Sequence, residues 1–293
     1  MGPTLRRVGV FVALLVALTG VALGATYSEE VEFTVSPSPG LHLTIETGNG
    51  GVSMRAWSGD QILVTATKSV TALTAGHARN VASQIKIETE QTEATAQIKV
   101  SFPRRLFVRQ AVAFDILVPR DWIGQVSLKT SNGAIVVEGV NGDVHLWTSN
   151  GRIEVHDHAG RLTAHTSNGR IDLTQVDTAL QATTSNGRIT IREAVLRGNG
   201  EVRTSNGRIT IDGTYHGTAD YSIRSSNGTI ELRLIPPVDL TLDARTSNGS
   251  VRLDGLEVRV TEVGKSALRG TVGAGGGTLV VRTSNGDITF SAR

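Results

Sequence analysis

The chain has 293 residues, of which 4% are aromatic, 33 are glycine and none is cysteine; 29 basic and 27 acidic residues give a formal net charge of +2. The lack of cysteine excludes disulfides, thiolate nucleophiles and cysteine-based metal sites. The small aromatic content favours a thin β core built from small layers, and the nearly balanced charge gives no indication of nucleic-acid binding.

Residues 1–25 have the layout of a secretory signal peptide. Arg6 and Arg7 precede an apolar run from Val8 to Ala25. This run of 18 residues is also at the lower limit for a membrane span, so an uncleaved N-terminal anchor is the alternative. Both interpretations predict that the remainder of the chain is exported. Cleavage would leave 27 basic and 27 acidic residues, because both arginines lie in this segment.

The sequence of residues 26–130 predicts irregular β coils that are continuous with the regular coils of residues 131–293. Residues 72–83 predict one short helix, for which Thr71 is a candidate N-cap. We interpret the region as degenerate coils with one insertion. Five segments in it alternate between apolar and polar residues, as strands do: 41–47, 52–57, 61–67, 95–100 and 111–118.

Residues 131–293 repeat a turn of sequence Thr-Ser-Asn-Gly, with Ser in place of Thr in one copy. A related Thr-Gly-Asn-Gly occurs at Asn49. The repeat asparagines are spaced 18, 18, 18, 20, 21, 21 and 37 residues apart. We interpret the last interval as two coils, of which one has lost its Asn-Gly turn. Residues 262–277 are expected to form that degenerate coil and a loop. These asparagines are Asn132, Asn150, Asn168, Asn186, Asn206, Asn227, Asn248 and Asn285.

The residues on both sides of each turn alternate with a period of two. After Asn186, for example, the apolar residues are Ile189 and Ile191. This alternation predicts that each coil consists of a strand, a corner and a second strand. A single coil cannot bury its apolar face unless neighbouring coils stack on it. The pattern predicts an all-β fold, a single-stranded parallel β-solenoid of 18–21 residues per coil. We expect right-handed winding.

The stacked coils lead to three further expectations, two for the turns and one for the C-terminal coil. Asparagine side chains that lie above one another should form a hydrogen-bonded ladder. The Asn-Gly pair should supply the positive φ of a tight corner. The chain ends three residues after Phe290, so we expect the C-terminal coil to lack a cap and to offer open strand edges for self-association.

The repeated turn followed by an apolar-polar-apolar strand, together with the segment FDILVPRD at 114–121, resembles a bacterial family. It is similar to the putative-adhesin family of β-strand-repeat proteins, a DUF4097-like domain of unknown function. The resemblance covers most of residues 31–293 and implies a β-repeat fold on an exported or membrane-anchored chain. It implies no catalytic or ligand-binding residue.

Histidines do not form a convincing metal site in the sequence. His156, Asp157 and His158 form a tight cluster, and His145 and His165 lie one coil to either side. These histidines occupy different positions relative to the repeat asparagines, so they would not converge as the roughly four ligands of a zinc site must. Calcium in every coil would require a recurrent carboxylate at the corner, which the repeat lacks.

No catalytic residue is predicted. The serines recur beside every asparagine as a structural series, whereas a nucleophile needs one base and one orienting group. Asp239, Asp243 and Asp254 are scattered over different strands and do not form a carboxylate pair. We therefore expect no enzyme, no metal and no cofactor.

Arginines form the most informative surface pattern. They recur at two outward positions of the coil, where one interpretation is a solvated face with acidic partners and the other is a strip that binds anionic ligands. The first column, two residues after the asparagine, is Arg152, Arg170, Arg188 and Arg208. The second column, three residues before it, is Arg203, Arg224, Arg245 and Arg282.

These observations predict an exported structural or interaction module of the cell envelope, adhesin-like and without catalysis. Two alternatives are a membrane-associated accessory protein of envelope-stress signalling and a self-assembling β-helix scaffold. The expected partners are anionic envelope glycans, lipid headgroups or another protein, with no nucleic acid.

Overall fold

The structure is a computed structural model that describes residues 10–11, 17–21 and 24–293. The predicted signal peptide or anchor at 1–25 falls mostly outside the described residues and stays a prediction. No helix within the described ranges is both long enough and apolar enough to cross a membrane.

The described residues form β-strands and one α-helix in two compact units, one up to Thr148 and the other Ser149–Arg293. The elements of the first unit are β1 Val10–Phe11, β2 Ala17–Val21, β3 Gly24–Val35, β4 His42–Glu46, β5 Val52–Trp57, β6 Ile62–Ala72, α1 Ala75–Gln84, β7 Lys86–Gln91, β8 Thr95–Ser101, β9 Arg109–Pro119, β10 Gly124–Lys129, β11 Ile135–Glu138 and β12 Gly142–Thr148. The elements of the second unit are β13 Ile153–Thr166, β14 Ile171–Thr184, β15 Ile189–Leu196, β16 Asn199–Thr204, β17 Ile209–Tyr215, β18 Asp220–Ser225, β19 Ile230–Leu234, β20 Leu240–Thr246, β21 Val251–Asp254, β22 Arg259–Gly264, β23 Ala267–Val272, β24 Gly277–Thr283 and β25 Ile288–Ala292.

The first unit combines parallel coils with an antiparallel insertion. The coil β4–β5 stacks in parallel on β10–β11, so Asn49 marks a true coil. Between these coils the chain forms β6, α1 and the hairpin β7–β8, and β6 is antiparallel to both β3 and β9. The expected insertion is thus larger than the predicted helix, because alternation shows that β6 is a half-buried strand but not that it is antiparallel to its neighbours. Strands β8 and β9 pair in parallel with β4 and β5, as strands of a further coil do.

The predicted helix is present, but its cap differs from the expectation. Helix α1 begins at Ala75, and the Thr74 hydroxyl accepts a hydrogen bond of 3.2 Å from the backbone N–H of His77. Thr71, the predicted cap, lies inside β6, where its hydroxyl is 2.9 Å from that of Thr26. Strand β6 extends to Ala72, beyond the predicted segment 61–67, because it pairs with β3 along its whole length and with β9 along almost all of it.

The second unit is the regular solenoid that the repeat predicts. Strands β13 and β14 pair in parallel with equivalent repeat positions facing each other, as in Ile153 beside Ile171. The same parallel register continues through β15, β17 and β19 on one side of the corner and through β16 and β18 on the other. The inward residues of these strands are almost completely buried, so the alternation in the sequence correctly gives the core.

The C-terminal coil is not at an open end. Strand β24 lies between β18 and β20, and β25 lies between β19 and β21, so both are paired on two sides. The expectation of an uncapped last coil is wrong, because stacking order departs from chain order here: the coil of Asn285 lies between those of Asn227 and Asn248.

The interval of 37 residues between the last two markers contains a hairpin instead of a degenerate coil. Strands β22 and β23 are antiparallel, and β23 pairs antiparallel with β20, covering the edge of the coil of Asn248. Strand β22 is exposed along its length and has a bulge between Val260 and Glu262. A short, charged and bulged edge strand discourages pairing with another chain, so this hairpin acts as a cap.

Each repeat corner is held by a buried hydroxyl. The Thr184 hydroxyl donates to the carbonyl of Gly169 in the preceding coil at 3.0 Å and accepts from the backbone N–H of Gly187 in its own coil at 3.2 Å. The same pair of bonds recurs at Thr166 and Thr204. Buried backbone groups that would otherwise lack partners are thereby satisfied.

The glycine of the repeat is required by close approach, not by positive φ. A Cβ built on Gly169 would lie 1.7 Å from the carbonyl oxygen of Gly151, and one on Gly187 would lie 1.7 Å from that of Gly169. Neither glycine is among the residues with positive φ, so the expectation of a left-handed Asn-Gly corner is wrong. The left-handed residues lie at the opposite corner, where Asp157, Gln175 and Glu193 have φ of 54°, 56° and 53°.

Replacing Gly169 by Ala should lower the free energy of unfolding by about 2 to 4 kcal/mol, because the new methyl group forces adjacent coils apart. Gly264→Ala is the control in the same unit, since no atom lies within 4 Å of its Cβ position. We expect that control to change stability by less than about 0.5 kcal/mol. Urea denaturation measures both, and equal effects would contradict the close-approach explanation.

The hydroxyl at the corner can be tested with an isosteric change. Thr184→Val should destabilise the protein by about 2 to 4 kcal/mol, because it leaves a buried N–H and a buried carbonyl without partners. Thr184→Ser should cost less than about 1 kcal/mol, since Ser225 makes the equivalent bond to Gly207 at 3.1 Å. Thermal denaturation distinguishes the two variants, and a Val variant as stable as the Ser variant would rule out this role.

Candidate functional site

The predicted asparagine ladder is present along the exposed side of the repeat corners. In the second unit each Nδ2 donates to the Oδ1 of the neighbouring coil at 2.7–2.8 Å, in the stacking order Asn150, Asn168, Asn186, Asn206, Asn227, Asn285 and Asn248. In the first unit, Asn132 donates to Asn49 at 2.6 Å. Because the coils pair as parallel strands, the side chains that flank the ladder are spaced about 4.7–4.9 Å apart from one coil to the next.

The first arginine column is largely neutralised by acidic neighbours. Arg152 lies 2.8 Å from Glu154, while Arg170 lies 3.0 Å from Glu154 and 2.6 Å from Asp172. These carboxylates, Glu154 first, raise the pKa of the Arg170 guanidinium. Arg208 has a looser partner, Glu231, at 3.7 Å. Arg188 has no acidic partner within 4.0 Å among the described residues, so the paired face comprises Arg152, Arg170 and, more loosely, Arg208.

The second column falls into two halves. Parallel pairing places its members in the spatial order Arg203, Arg224, Arg282 and Arg245. Asp243 serves the far half, with one carboxylate oxygen 2.9 Å from Arg282 and 3.1 Å from Arg269 of the capping hairpin. Asp243, Arg282 and Arg269 thus form an arginine cluster around Asp243. The sequence did not indicate that Arg269 belongs to it, because Arg269 reaches Asp243 only through the antiparallel pairing of β23 with β20.

The near half, Arg203 and Arg224, has no acidic partner within 4.0 Å among the residues that the structure describes. Both side chains are exposed, and Arg224 donates to the Ser222 hydroxyl at 2.9 Å. Their register places them opposite each other on adjacent strands. Two like charges this close are unfavourable without a counter-ion.

A small groove of about 320 Å³ lies beside these arginines. Arg203, Arg224 and Arg282 line it, together with three exposed serines, Ser226, Ser284 and Ser247, from consecutive coils in the stack. Within the described part of the chain, the hydroxyls of these serines make no hydrogen bond, so they remain available to a ligand. The recurrence of the serines in the sequence indicates only a structural role and does not reveal this combination with the arginines. We call these six residues the arginine–serine groove.

The histidine cluster does not converge in the structure. His156 is exposed, whereas His158 is buried, so the two imidazoles do not face a common site. In the described portion of the chain, no group of three or more His, Cys, Asp or Glu side chains is placed to hold a metal ion.

The fold and this surface define a β-solenoid with polar, laddered corners. The family described as Toastrack DUF4097 matches residues 41–291, and the chain belongs to this family. Nothing in this family assignment indicates a catalytic role. No curated protein matches the chain in sequence.

Solved structures with a similar arrangement include three from Parabacteroides and Bacteroides species. A putative adhesin from Parabacteroides distasonis is 11% identical, with a TM-score of 0.45 and coverage of 90% of this chain and 97% of that chain. A putative adhesin from Bacteroides fragilis is 10% identical, with a TM-score of 0.40 and coverage of 89% and 96%. A putative lipid binding protein from P. distasonis is 13% identical, with a TM-score of 0.43 and coverage of 89% and 96%.

The arginine cluster around Asp243 should make stability depend on pH. Burial by itself raises the pKa of Asp243, but hydrogen bonds from Arg282 and Arg269 outweigh it and hold the pKa below its ordinary value of 3.8. A lowered pKa stabilises the folded state above the ordinary value, and this contribution disappears as pH falls through the lowered one. Asp243→Asn should therefore lower the melting temperature at neutral pH, and the difference from wild type should shrink below pH 3.8. Melting curves across this range check it; a difference that stays constant into acid would contradict the assignment.

Proposed function

We propose that the chain is an exported, adhesin-like interaction module of the cell envelope that binds anionic polymers at the arginine–serine groove. Three findings support this proposal: the signal-peptide pattern at the N-terminus, membership of the Toastrack family, and the charge distribution along the second unit. The observation that carries it is the pair Arg203 and Arg224, adjacent, exposed and without an acidic partner in the described residues, unlike Arg152 and Arg170.

The groove suits carboxylate, sulfate or phosphate groups. A guanidinium donates two parallel hydrogen bonds to such an anion, and hydroxyls of the serines can donate to its remaining oxygens. The anion would also relieve the repulsion between Arg203 and Arg224, which the fold otherwise leaves uncompensated. A polymer that carries several such groups would gain avidity by engaging the groove and the neighbouring arginines at once.

Anionic groups of this kind occur on envelope polysaccharides and on lipid headgroups, and the two sources need separate tests. Binding of the exported chain to polygalacturonate reports on carboxylated polysaccharide. Binding to phosphatidylglycerol vesicles, compared with phosphatidylcholine vesicles, reports on headgroups. Attraction between exposed charges is screened by salt, so both measurements are made at low and at high ionic strength.

The double change Arg203→Gln with Arg224→Gln should weaken low-salt binding of the preferred probe at least about tenfold, equivalent to about 1.4 kcal/mol. The double change Arg152→Gln with Arg170→Gln removes the same formal charge from the neutralised column and should weaken binding much less. Circular dichroism verifies that both variants fold. Equal loss in the two variants would show a non-specific charge effect, and no binding by the wild type would refute the proposal.

A further inference from the structure

A second recess, unrelated to the arginine–serine groove, lies in the first unit. It has a volume of about 780 Å³, within the range of about 300–1,000 Å³ that is usual for ligand sites. It forms at the end of β5 that is remote from the Thr-Gly-Asn-Gly turn, where β5 ends at Trp57 and β9 ends at Pro119. The chain that follows β3, including Pro37 and Pro39, forms another wall.

The walls of this recess are aromatic and rigid. Trp57 and Trp122 both line it, although the whole chain has only three tryptophans. Trp57 is half-buried and Trp122 is 7% exposed, so Trp57 provides most of the aromatic surface that a ligand can reach. Three prolines, Pro37, Pro39 and Pro119, add apolar surface that loses little conformational freedom when a ligand binds. We call this recess the tryptophan cleft.

The indole N–H groups of the cleft are already satisfied. Trp57 Nε1 donates to the carbonyl of Gln61 at 3.0 Å, and Trp122 Nε1 donates to the carbonyl of Ser38 at 3.2 Å. Each ring is thereby fixed in orientation, and neither offers a donor to a ligand. The rings contribute apolar surface only, so a ligand must find its polar partners elsewhere.

Polar partners are provided by three charged side chains at the rim. Asp60, Arg120 and Asp121 line the cleft and are exposed, and none has an ion-pair partner within 4.0 Å among residues 24–293. Two carboxylates and one guanidinium give the rim a net charge of −1, which disfavours an anionic ligand. The groups offer several hydrogen-bond acceptors and a planar set of donors.

From this combination we propose that the tryptophan cleft binds a neutral hexopyranose glycan. A pyranose ring presents an apolar C–H face to aromatic and proline surfaces, while its hydroxyls donate to Asp60 and Asp121 and accept from Arg120. A proline-rich peptide also packs on aromatic grooves, and Arg120 could donate to its carbonyls, but it would leave the rim carboxylates without donors. The rim carboxylates match hydroxyl donors, which a polyproline backbone lacks.

This inference does not depend on the proposed function of the arginine–serine groove. The two sites use different residues in different units, and one selects anionic ligands whereas the other selects neutral ones. Loss of one site should leave the other intact, so each can fail alone.

Tryptophan fluorescence provides the test, because the cleft holds two of the three tryptophans. The full chain with Trp147→Phe removes the emission from outside the cleft. Cellotetraose, maltotetraose and chitotetraose are titrated separately, with decaproline as the competing ligand class. We expect a saturable emission change with at least one tetrasaccharide and none with decaproline. No saturable change with any tetrasaccharide up to about 10 mM, tenfold above a dissociation constant of about 1 mM, or a response to decaproline alone, overturns the proposal.

Variants at the rim then locate the site. Asp60→Asn with Asp121→Asn should raise the dissociation constant at least about tenfold, since two charged acceptors are lost. Asp254→Asn with Glu257→Gln is the matched control, because it also removes two carboxylates and both residues are exposed in the other unit. Both changes are on the surface and should preserve the fold, unlike removal of Trp57, whose ring packs on the backbone of Gly59. An unchanged dissociation constant in the double variant, or an equal rise in the control, overturns the assignment of the cleft.

Discussion

The rest of the structure depends on one buried contact, in which a threonine hydroxyl joins two glycines across neighbouring coils. At Thr184 this hydroxyl donates to Gly169 and accepts from Gly187. The contact requires backbones so close that a side chain on the glycine would overlap the carbonyl of the next coil. It therefore explains why Thr and Gly recur together: one residue supplies the bond, and the other permits the distance. Asparagine bonds the exposed side of the same corner, where water competes and each bond contributes less.

A fixed corner has an electrostatic consequence. Parallel register repeats any outward residue every coil, so a repeated arginine becomes a column of like charge at a spacing of about 4.7–4.9 Å. The molecule neutralises this charge unevenly: Glu154 and Asp172 serve Arg152 and Arg170 in the first column, and Asp243 serves the far half of the second. Arg188 has no carboxylate within 4.0 Å among the described residues. Arg203 and Arg224 are left with hydroxyls in place of carboxylates. The uneven neutralisation, more than the number of arginines, distinguishes a surface suited to anions from an ordinary solvated face.

The regular coils, the core positions, the ladder and the family could be predicted from the sequence, because each depends on a local pattern that repeats. The prediction failed where structure depends on contacts distant in the chain. Alternation in β6 could not show that it runs antiparallel to β9, and the order of Asn227, Asn285 and Asn248 could not show which coil lies at the end. The role of glycine was misread because a close approach leaves no local signal. For the same reason the groove and the tryptophan cleft were missed: each collects residues from separate coils or loops.

Native-state hydrogen exchange of the repeat glycines tests the central contact most directly. The N–H groups of Gly169, Gly187 and Gly207 are bonded to buried threonine hydroxyls at 3.1–3.2 Å. Amides that open only with the core exchange most slowly, so these three should be as protected as the amides of the adjoining strands β14 and β15, despite lying in turns. Rapid exchange, comparable to that of an exposed glycine such as Gly217, would contradict the account.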